Sequence, residues 1–341
     1  MKRILVLFLS LLLLVGCTKL PQPSANKQYT ATFLELFDTV TTVVGQAESK
    51  EAFEKTAYAI RDDLQTYHQL FDIYEEYPGI NNLKTVNDQA GIAPVQVDSR
   101  IIQMLLDCKV YYEATDGRVN VAMGSVLKLW HEAREEGIND PSQAKLPDEN
   151  ALVEAARHTD LSKLIIDEAA STVYLSDSHM RLDVGAIAKG WAAQKVAGNA
   201  PKGLLISVGG NVCATGPKDG IGTPWVVGIQ NPDGGENYLH TLAITGGCVV
   251  TSGDYQRAYV VDGKVYHHII DPDTRYPSAY WRSVTVVCAD SGLADALSTA
   301  LFLLPREAGQ SLLDQWNAEA MWVDAAGNRS YSPGFSALIR T

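Results

Sequence analysis

Val261-Asp262-Gly263-Lys264-Val265 puts only Asp262, Gly263 and Lys264 between two apolar runs, too short a gap for a crossover helix. Parallel neighbours need a connection of roughly a dozen residues or more, so the strands joined by such a turn are antiparallel. The same texture fills the C-terminal half: residues 165–166, 173–175, 204–208, 225–229, 249–251, 258–261 and 284–288 are short β-like runs punctuated by glycine. Residues 32–44, rich in Thr, Val, Leu and Phe, predict a further strand closed by Gly45.

Helical periodicity dominates the first half. Phe53, Ala57, Ile60, Leu64 and Tyr67 recur at spacings of three and four, which predicts one buried stripe on a helix over residues 52–71. Asp98-Ser99 can cap a second helix through residue 112, with Ile101, Ile102, Leu105 and Leu106 facing inward. Residues 121–135, 186–197 and 293–304 predict three more. The expected class is α+β, with largely antiparallel sheets and packed helices in a single bilobal unit; no repeat of solenoid period is visible. At 46% hydrophobic and 20% charged residues the chain has material for a sizeable core, and its net charge of -12 without a basic stripe argues against nucleic acid as a partner.

Lys2 and Arg3 precede an apolar stretch over residues 4–15 broken only by Ser10, the plan of a signal peptide and short for a membrane span. Leu14-Val15-Gly16-Cys17 follows directly and looks like a lipobox, in which the Cys17 thiol accepts diacylglycerol. This divides the chain into a signal peptide over 1–16, a lipidated cysteine and Pro-containing tether over 17–30, and a domain over 31–341, held at the outer face of the cell membrane by acyl chains. The alternative is an ordinary secretory signal with a chance cysteine. Cys108, Cys213, Cys248 and Cys288 show no CxxC or metal-ligand spacing; packing is their expected role, and disulfide pairing stays open.

Three segments carry chemistry. In Asp183-Val184-Gly185-Ala186-Ile187-Ala188-Lys189-Gly190, a carboxylate at a strand-to-helix junction precedes a glycine, a lysine and a helix start, where free backbone N–H groups favour an anion. The same residues also fit a capped amphipathic helix with a solvated lysine. Asp295, Ser298 and Thr299 fall on one helical face and form a hard-oxygen cluster suited to Mg²⁺, unless the hydroxyls back-bond within the helix while Asp295 caps it. His267-His268-Ile269-Ile270-Asp271-Pro272-Asp273-Thr274 is a polar loop with imidazole and carboxylates, and no HExxH or third ligand makes it a zinc site. One of its two histidines is expected to be buried or ligand-facing and the other exposed.

Taken in order, Leu204–Ile206 with Gly209-Gly210-Asn211, Pro224-Trp225-Val226-Val227-Gly228-Ile229, Thr251-Ser252-Gly253-Asp254-Tyr255, His268-Ile269-Ile270-Asp271-Pro272 and Ala294-Asp295-Ala296-Leu297-Ser298-Thr299-Ala300 resemble the signature of the ApbE flavin transferases. The resemblance runs from Phe33 to the C-terminus. It implies transfer of FMN from FAD to a threonine hydroxyl in a Ser/Gly/Ala-Thr motif of an acceptor protein, with AMP leaving. It further implies that Asp183 and Lys189 contact FAD, and that the Ala186 carbonyl joins Asp295 and Thr299 around Mg²⁺ with Ser298 as another oxygen. Tyr74 would lie against the isoalloxazine, Val119, Asn120 and Ile270 would touch the flavin, and His268 or Asp271 would be the general base. Asn120 stands where many members have Asp, Ser125 replaces a frequent Pro, and Arg275 replaces a usual Gly. Two rivals follow: the same metal site hydrolysing FAD to FMN and AMP, and a lipoprotein that binds flavin without chemistry, against which the metal ligands stand.

Overall fold

The computed structural model describes residues 26–235 and 237–340; the expected signal peptide, Cys17 and the expected tether up to residue 25 lie outside them. Its centre is an eight-stranded antiparallel sheet in the order Lys27–Leu36, Thr39–Ala47, Leu204–Val208, Asn211–Ala214, Gly247–Gly253, Ser283–Cys288, Glu319–Val323, Arg329–Tyr331. Smaller antiparallel sheets pair Trp225–Ile229 with His240–Ile244, Ala258–Val261 with Lys264–His267, and Thr172–Leu175 with both Val95–Gln96 and Leu164–Asp167. The three-residue gap of the sequence is thus a hairpin.

The single strand expected over residues 32–44 is a hairpin too. It turns at Phe37-Asp38, both in the left-handed region at φ 53° and 52°, and the Phe37 N–H donates to His68 Nδ1 at 3.2 Å. Its first strand starts at Lys27, so the end of the expected tether is already sheet. Nothing at that turn resembles the Asn-Gly or Asp-Gly that announces a tight hairpin.

Four helices cover one face of the sheet with a continuous core: Lys50–Phe71, Ser99–Ala114, Ala188–Asn199 and Ser291–Phe302. Ser291–Phe302 is buried almost all round, which its run of Ala and Leu allows. Across the sheet a second cluster gathers Trp225, Ile229, Leu242, Met321, Val323 and Phe335. A third joins the helices Gly124–Asn139 and Glu149–Ala155 to the Ala258–His267 hairpin through Trp130, Leu152, Tyr259 and Ile270. The helices Leu83–Asp88, Glu149–Ala155 and Arg306–Trp316 add to those expected; the first two carry the side-chain caps Asn82 and Asp148.

Candidate functional site

Two segments distant in sequence build the strand-to-helix junction. Residues 181–183 run beside 121–124: the Asp183 N–H donates to the Val121 carbonyl at 2.8 Å, and the Gly124 N–H to that of Arg181 at 3.1 Å. A Cβ on Gly124 would sit 2.5 Å from the Arg181 oxygen, so only glycine lets the segments touch. The buried Asn87 side chain then takes both backbone groups of Leu182, donating from Nδ2 to its carbonyl at 3.0 Å and accepting its N–H on Oδ1 at 2.7 Å. Asp183 is held in place by its neighbours on either side.

Asp183 caps the turn and not the helix: its Oδ1 accepts the Gly185 N–H at 2.8 Å, and the helix begins later, at Ala188. At that start the Gly190 N–H, which a regular helix would direct to the Ala186 carbonyl, donates instead to Asp295 Oδ2 at 2.9 Å. No backbone N–H takes the Ala186 carbonyl among the described residues. Gly190 also allows the approach, because a Cβ there would overlap the Ser291 carbonyl and stand 2.5 Å from Asp295 Cβ.

Asp295 does not cap its helix either; Asp290 does, with Oδ1 accepting the Leu293 N–H at 2.8 Å. The Asp295 carboxylate is 4% exposed and has Lys189 Nζ 3.7 Å away, while that ammonium donates to the Gly185 carbonyl at 3.1 Å. Burial pushes the carboxyls of both Asp183 and Asp295 above the usual range, against the pull of hydrogen bonds from backbone N–H groups and of Lys189. Ser298 is committed: its hydroxyl donates to the Asp295 carbonyl at 2.9 Å and meets Ser252 Oγ at 2.7 Å. The Thr299 hydroxyl has no hydrogen-bond partner among the described residues, and its residue is partly exposed. Ala186, Asp295 and Thr299 therefore present oxygens able to take a cation, while the Ser298 hydroxyl already makes two hydrogen bonds within the protein.

The histidine loop separates its members. His267 is buried and structural: Nε2 donates to the Ser278 carbonyl at 2.8 Å and Nδ1 accepts the Ile269 N–H at 3.2 Å, which fixes its tautomer. His268 is partly buried rather than exposed, and its Nδ1 is enclosed without a hydrogen-bond partner among the described residues. Desolvation, with Arg257 and Lys189 nearby, pushes its pKa down to about 3, so the imidazole is neutral. Asp271 Oδ1 accepts the N–H groups of Asp273 and Thr274 at 2.8 and 3.2 Å and is thereby committed to shaping its turn. Arg275 occupies the left-handed region at φ 65°, where a glycine would sit without strain, and its carbonyl accepts from Trp130 Nε1 at 2.8 Å.

Tyr74 is 51% exposed, its ring tilted 31° over His131 with centroids 4.9 Å apart. Desolvation and the Asp183 carboxylate push its phenol up to about 12. Val119 and Ile270 are buried hydrophobic residues, the former in the main core and the latter in the cluster that includes Trp130. Asn120 donates from Nδ2 to the Thr159 carbonyl at 2.9 Å and accepts the Ala122 N–H at 2.9 Å. It also edges an open concavity of about 440 Å³ shared with Tyr112, Arg118, Arg157 and Asp273, whose wall includes none of Asp183, Lys189, His268 or Asp295.

Sequence reasoning missed Asn87, Gly190, His131 and Arg257. Gly190 stood in the Lys-Gly pair after Asp183, where a glycine inside a helix signals close approach. Asn87 and Arg257 carry no such signal: one works through long-range backbone contacts, the other is an exposed arginine on a loop whose charge reaches Asp183, His268 and Tyr74.

The sequence model of the ApbE family matches residues 37–322. The FAD:protein FMN transferase of Treponema pallidum is 36% identical over 260 residues, covering 71% of this chain and 70% of that protein. That of Klebsiella pneumoniae is 34% identical over 257 residues, covering 72% and 77%. The crystal structure of the ApbE protein of Thermotoga maritima matches with a TM-score of 0.82 at 28% identity, over 92% of this chain and 100% of that one. The flavin transferase ApbE of Vibrio cholerae matches in fold, with a TM-score of 0.73 at 19% identity over 92% and 99%.

Proposed function

The chain belongs to the ApbE family, and from that premise we infer that it is an FAD:protein FMN transferase, moving FMN from FAD to an acceptor protein. The observation that ties this reading to particular residues is the oxygen set at the contact of the two helices: the Ala186 carbonyl, the Asp295 carboxylate and the Thr299 hydroxyl. Hard oxygens of this kind suit Mg²⁺, which would neutralise charge on the FAD pyrophosphate when bound there. Lys189 brings a second positive charge to the same place and offsets the buried carboxylate meanwhile.

In the proposed reaction the acceptor's threonine oxygen bonds to the FMN phosphorus as the phosphorus–oxygen bond to AMP breaks, and AMP leaves with the bonding pair. The hydroxyl proton needs a base. His268 fits better than Asp271, because its Nδ1 is unpartnered among the described residues while the Asp271 carboxylate already serves a turn. Asp183 and the Tyr74–His131 pair are proposed to line the flavin side, with Val119, Asn120 and Ile270 shaping its edge.

Residues 1–16 are proposed as a signal peptide and Cys17 as a lipid-bearing N-terminus, so that the domain works at the extracytoplasmic face of the membrane on a partner carrying a Ser/Gly/Ala-Thr motif. The test of the activity is to incubate the full-length protein with FAD, Mg²⁺ and a candidate acceptor and weigh the acceptor. A gain of one FMN supports transfer; free FMN and AMP beside an unmodified acceptor, across acceptors bearing the motif, would leave hydrolysis instead.

A further inference from the structure

Among the described residues, His158, Asp177 and His179 bring one ligand atom each to within 4.8 Å of one another, and none of the three belongs to the oxygen set of Asp295. We propose that this cluster is a second metal site, taking a divalent transition-metal ion of the zinc class through two imidazoles and one carboxylate.

The geometry is close to what such an ion needs. His158 closes the 3₁₀ turn Ala156–His158, and Asp177 and His179 lie in the turn after the strand Thr172–Leu175. His158 Nδ1 stands 2.8 Å from Asp177 Oδ2, and His179 Nδ1 stands 4.0 Å from Asp177 Oδ1. Tetrahedral zinc, with bonds of about 2.0–2.2 Å, holds its ligand atoms roughly 3.3 Å apart. The first pair must open by about half an ångström and the widest separation must close by about 1.5 Å to reach that spacing. The His179 side chain is 74% exposed, its Nδ1 lies 3.2 Å from Ser178 Oγ in a hydrogen bond it would give up to reach the ion, and the His179 N–H already donates to Asp177 Oδ1 at 2.9 Å, which holds its backbone beside the carboxylate. The two imidazole rings face each other with centroids 4.8 Å apart and planes tilted 32°.

The surroundings supply an orienting partner. On the far side of the His158 ring, Nε2 lies 3.8 Å from Glu154 Oε1, beyond hydrogen-bond distance, and that exposed carboxylate would have to close on the ring to take its other N–H as carboxylates do for metal-bound histidines. Imidazole with carboxylate prefers zinc, copper or nickel to magnesium, so this site and the oxygen set differ in the ions they select. The ion would fasten the turn that leads into Arg181-Leu182-Asp183 to the segment ending at Thr159. Those two pieces already rest on residues flanking the flavin edge, through Ser125 Oγ to the His179 carbonyl at 2.7 Å and Asn120 Nδ2 to the Thr159 carbonyl.

The test uses full-length protein stripped with a chelator, thiols alkylated and Mg²⁺ saturating, titrated with Zn²⁺ against a chromophoric competitor. Wild type should take up one equivalent that Mg²⁺ does not displace and should melt at higher temperature with it. His179→Ala and His158→Gln should each weaken uptake at least about tenfold. His179→Ala alters an exposed side chain, so its circular dichroism should match wild type and folding is not in question. Zinc uptake by wild type no tighter than by the His158→Gln/His179→Ala double variant, whether both bind or neither does, overturns the proposal.

Discussion

The Gly190 N–H donates to the Asp295 carboxylate at 2.9 Å across 105 residues of sequence, which, with Gln194 Oε1 accepting the Ser291 N–H at 2.8 Å, registers the start of one helix against another. Two consequences meet there. The bond turns Gly190 away from Ala186, leaving that carbonyl without a backbone donor, and it engages one oxygen of the Asp295 carboxylate. Side-chain volume at position 190 decides whether the helices can come this close.

Gly190→Ala should therefore lower both stability and transfer. The added Cβ meets backbone, the Ser291 carbonyl, which cannot rotate away as a side chain would. Overpacking of this sort costs about 1–3 kcal/mol. Thermal melts with and without Mg²⁺ check it: the variant should melt lower and gain less from the ion than wild type does. Equal melting and an equal gain would show that the helices tolerate separation.

Asn87→Ala tests whether Asp183 is held from behind. Both backbone groups of Leu182 lose their partner in a buried place, a loss of roughly 2–6 kcal/mol at one to three per unsatisfied group. FAD affinity should fall along with the melting temperature although Asn87 was never predicted to contact flavin. A variant that is destabilised but binds FAD as tightly as wild type would mean that Asp183 keeps its position without the clamp.

His268 predicts a pH dependence of stability. Its folded pKa of about 3 lies below the unfolded value near 6.5, so the unfolded chain binds more protons between the two. Its contribution is fully present above pH 6.5 and is lost as pH falls through that window, by at most about 1.4 kcal/mol per pH unit. Asp183 and Asp295, raised by burial, act with the opposite sign, favouring the fold below the ordinary carboxylate range and less as pH rises. Replacing His268 by Gln should flatten the acid side of a melting-temperature profile taken between pH 7 and 4. Parallel profiles for variant and wild type would assign the acid limb to other groups.

The sequence was most legible where local signals were self-sufficient. The stripe from Phe53 to Tyr67, the Asp98 cap and the short Asp262-Gly263 turn each encode their element in adjacent residues, and all three stand in the structure. Phe37-Asp38 was opaque because its left-handed turn is imposed by the sheet and by His68 rather than by residues that prefer it. The site shows the same division. Asp183, Lys189 and Asp295 could be picked out by motif, but that Ser298 is tied to Ser252, and Asp271 to its own turn, depends on contacts that spacing alone does not reveal.

Cys17 carries the prediction for the N-terminus. Metabolic labelling with a fatty acid should mark the wild-type protein and leave Cys17→Ala unlabelled, with the variant recovered away from the membrane fraction. Equal labelling of both would end the lipobox reading of Leu14-Val15-Gly16-Cys17.

The oxygen set is best tested by three substitutions compared in one Mg²⁺ titration of FMN transfer. Asp295→Asn removes the charged ligand while keeping a group that can accept the Gly190 N–H, so transfer should collapse or require far more Mg²⁺, with flavin binding partly retained. Thr299→Val preserves shape and deletes a hydroxyl with no partner among the described residues, so it should shift the metal requirement in the same direction but less, with little change in melting temperature. Ser298→Ala should do the reverse. It breaks the bonds to Ser252 and to the Asp295 carbonyl, which costs about 1 kcal/mol of stability, yet its Mg²⁺ dependence should match wild type because that hydroxyl is already engaged. A Ser298→Ala shift as large as that of Thr299→Val would mean that Ser298 leaves Ser252 to bind the ion, and an unchanged titration for Asp295→Asn would move the metal away from this helix altogether.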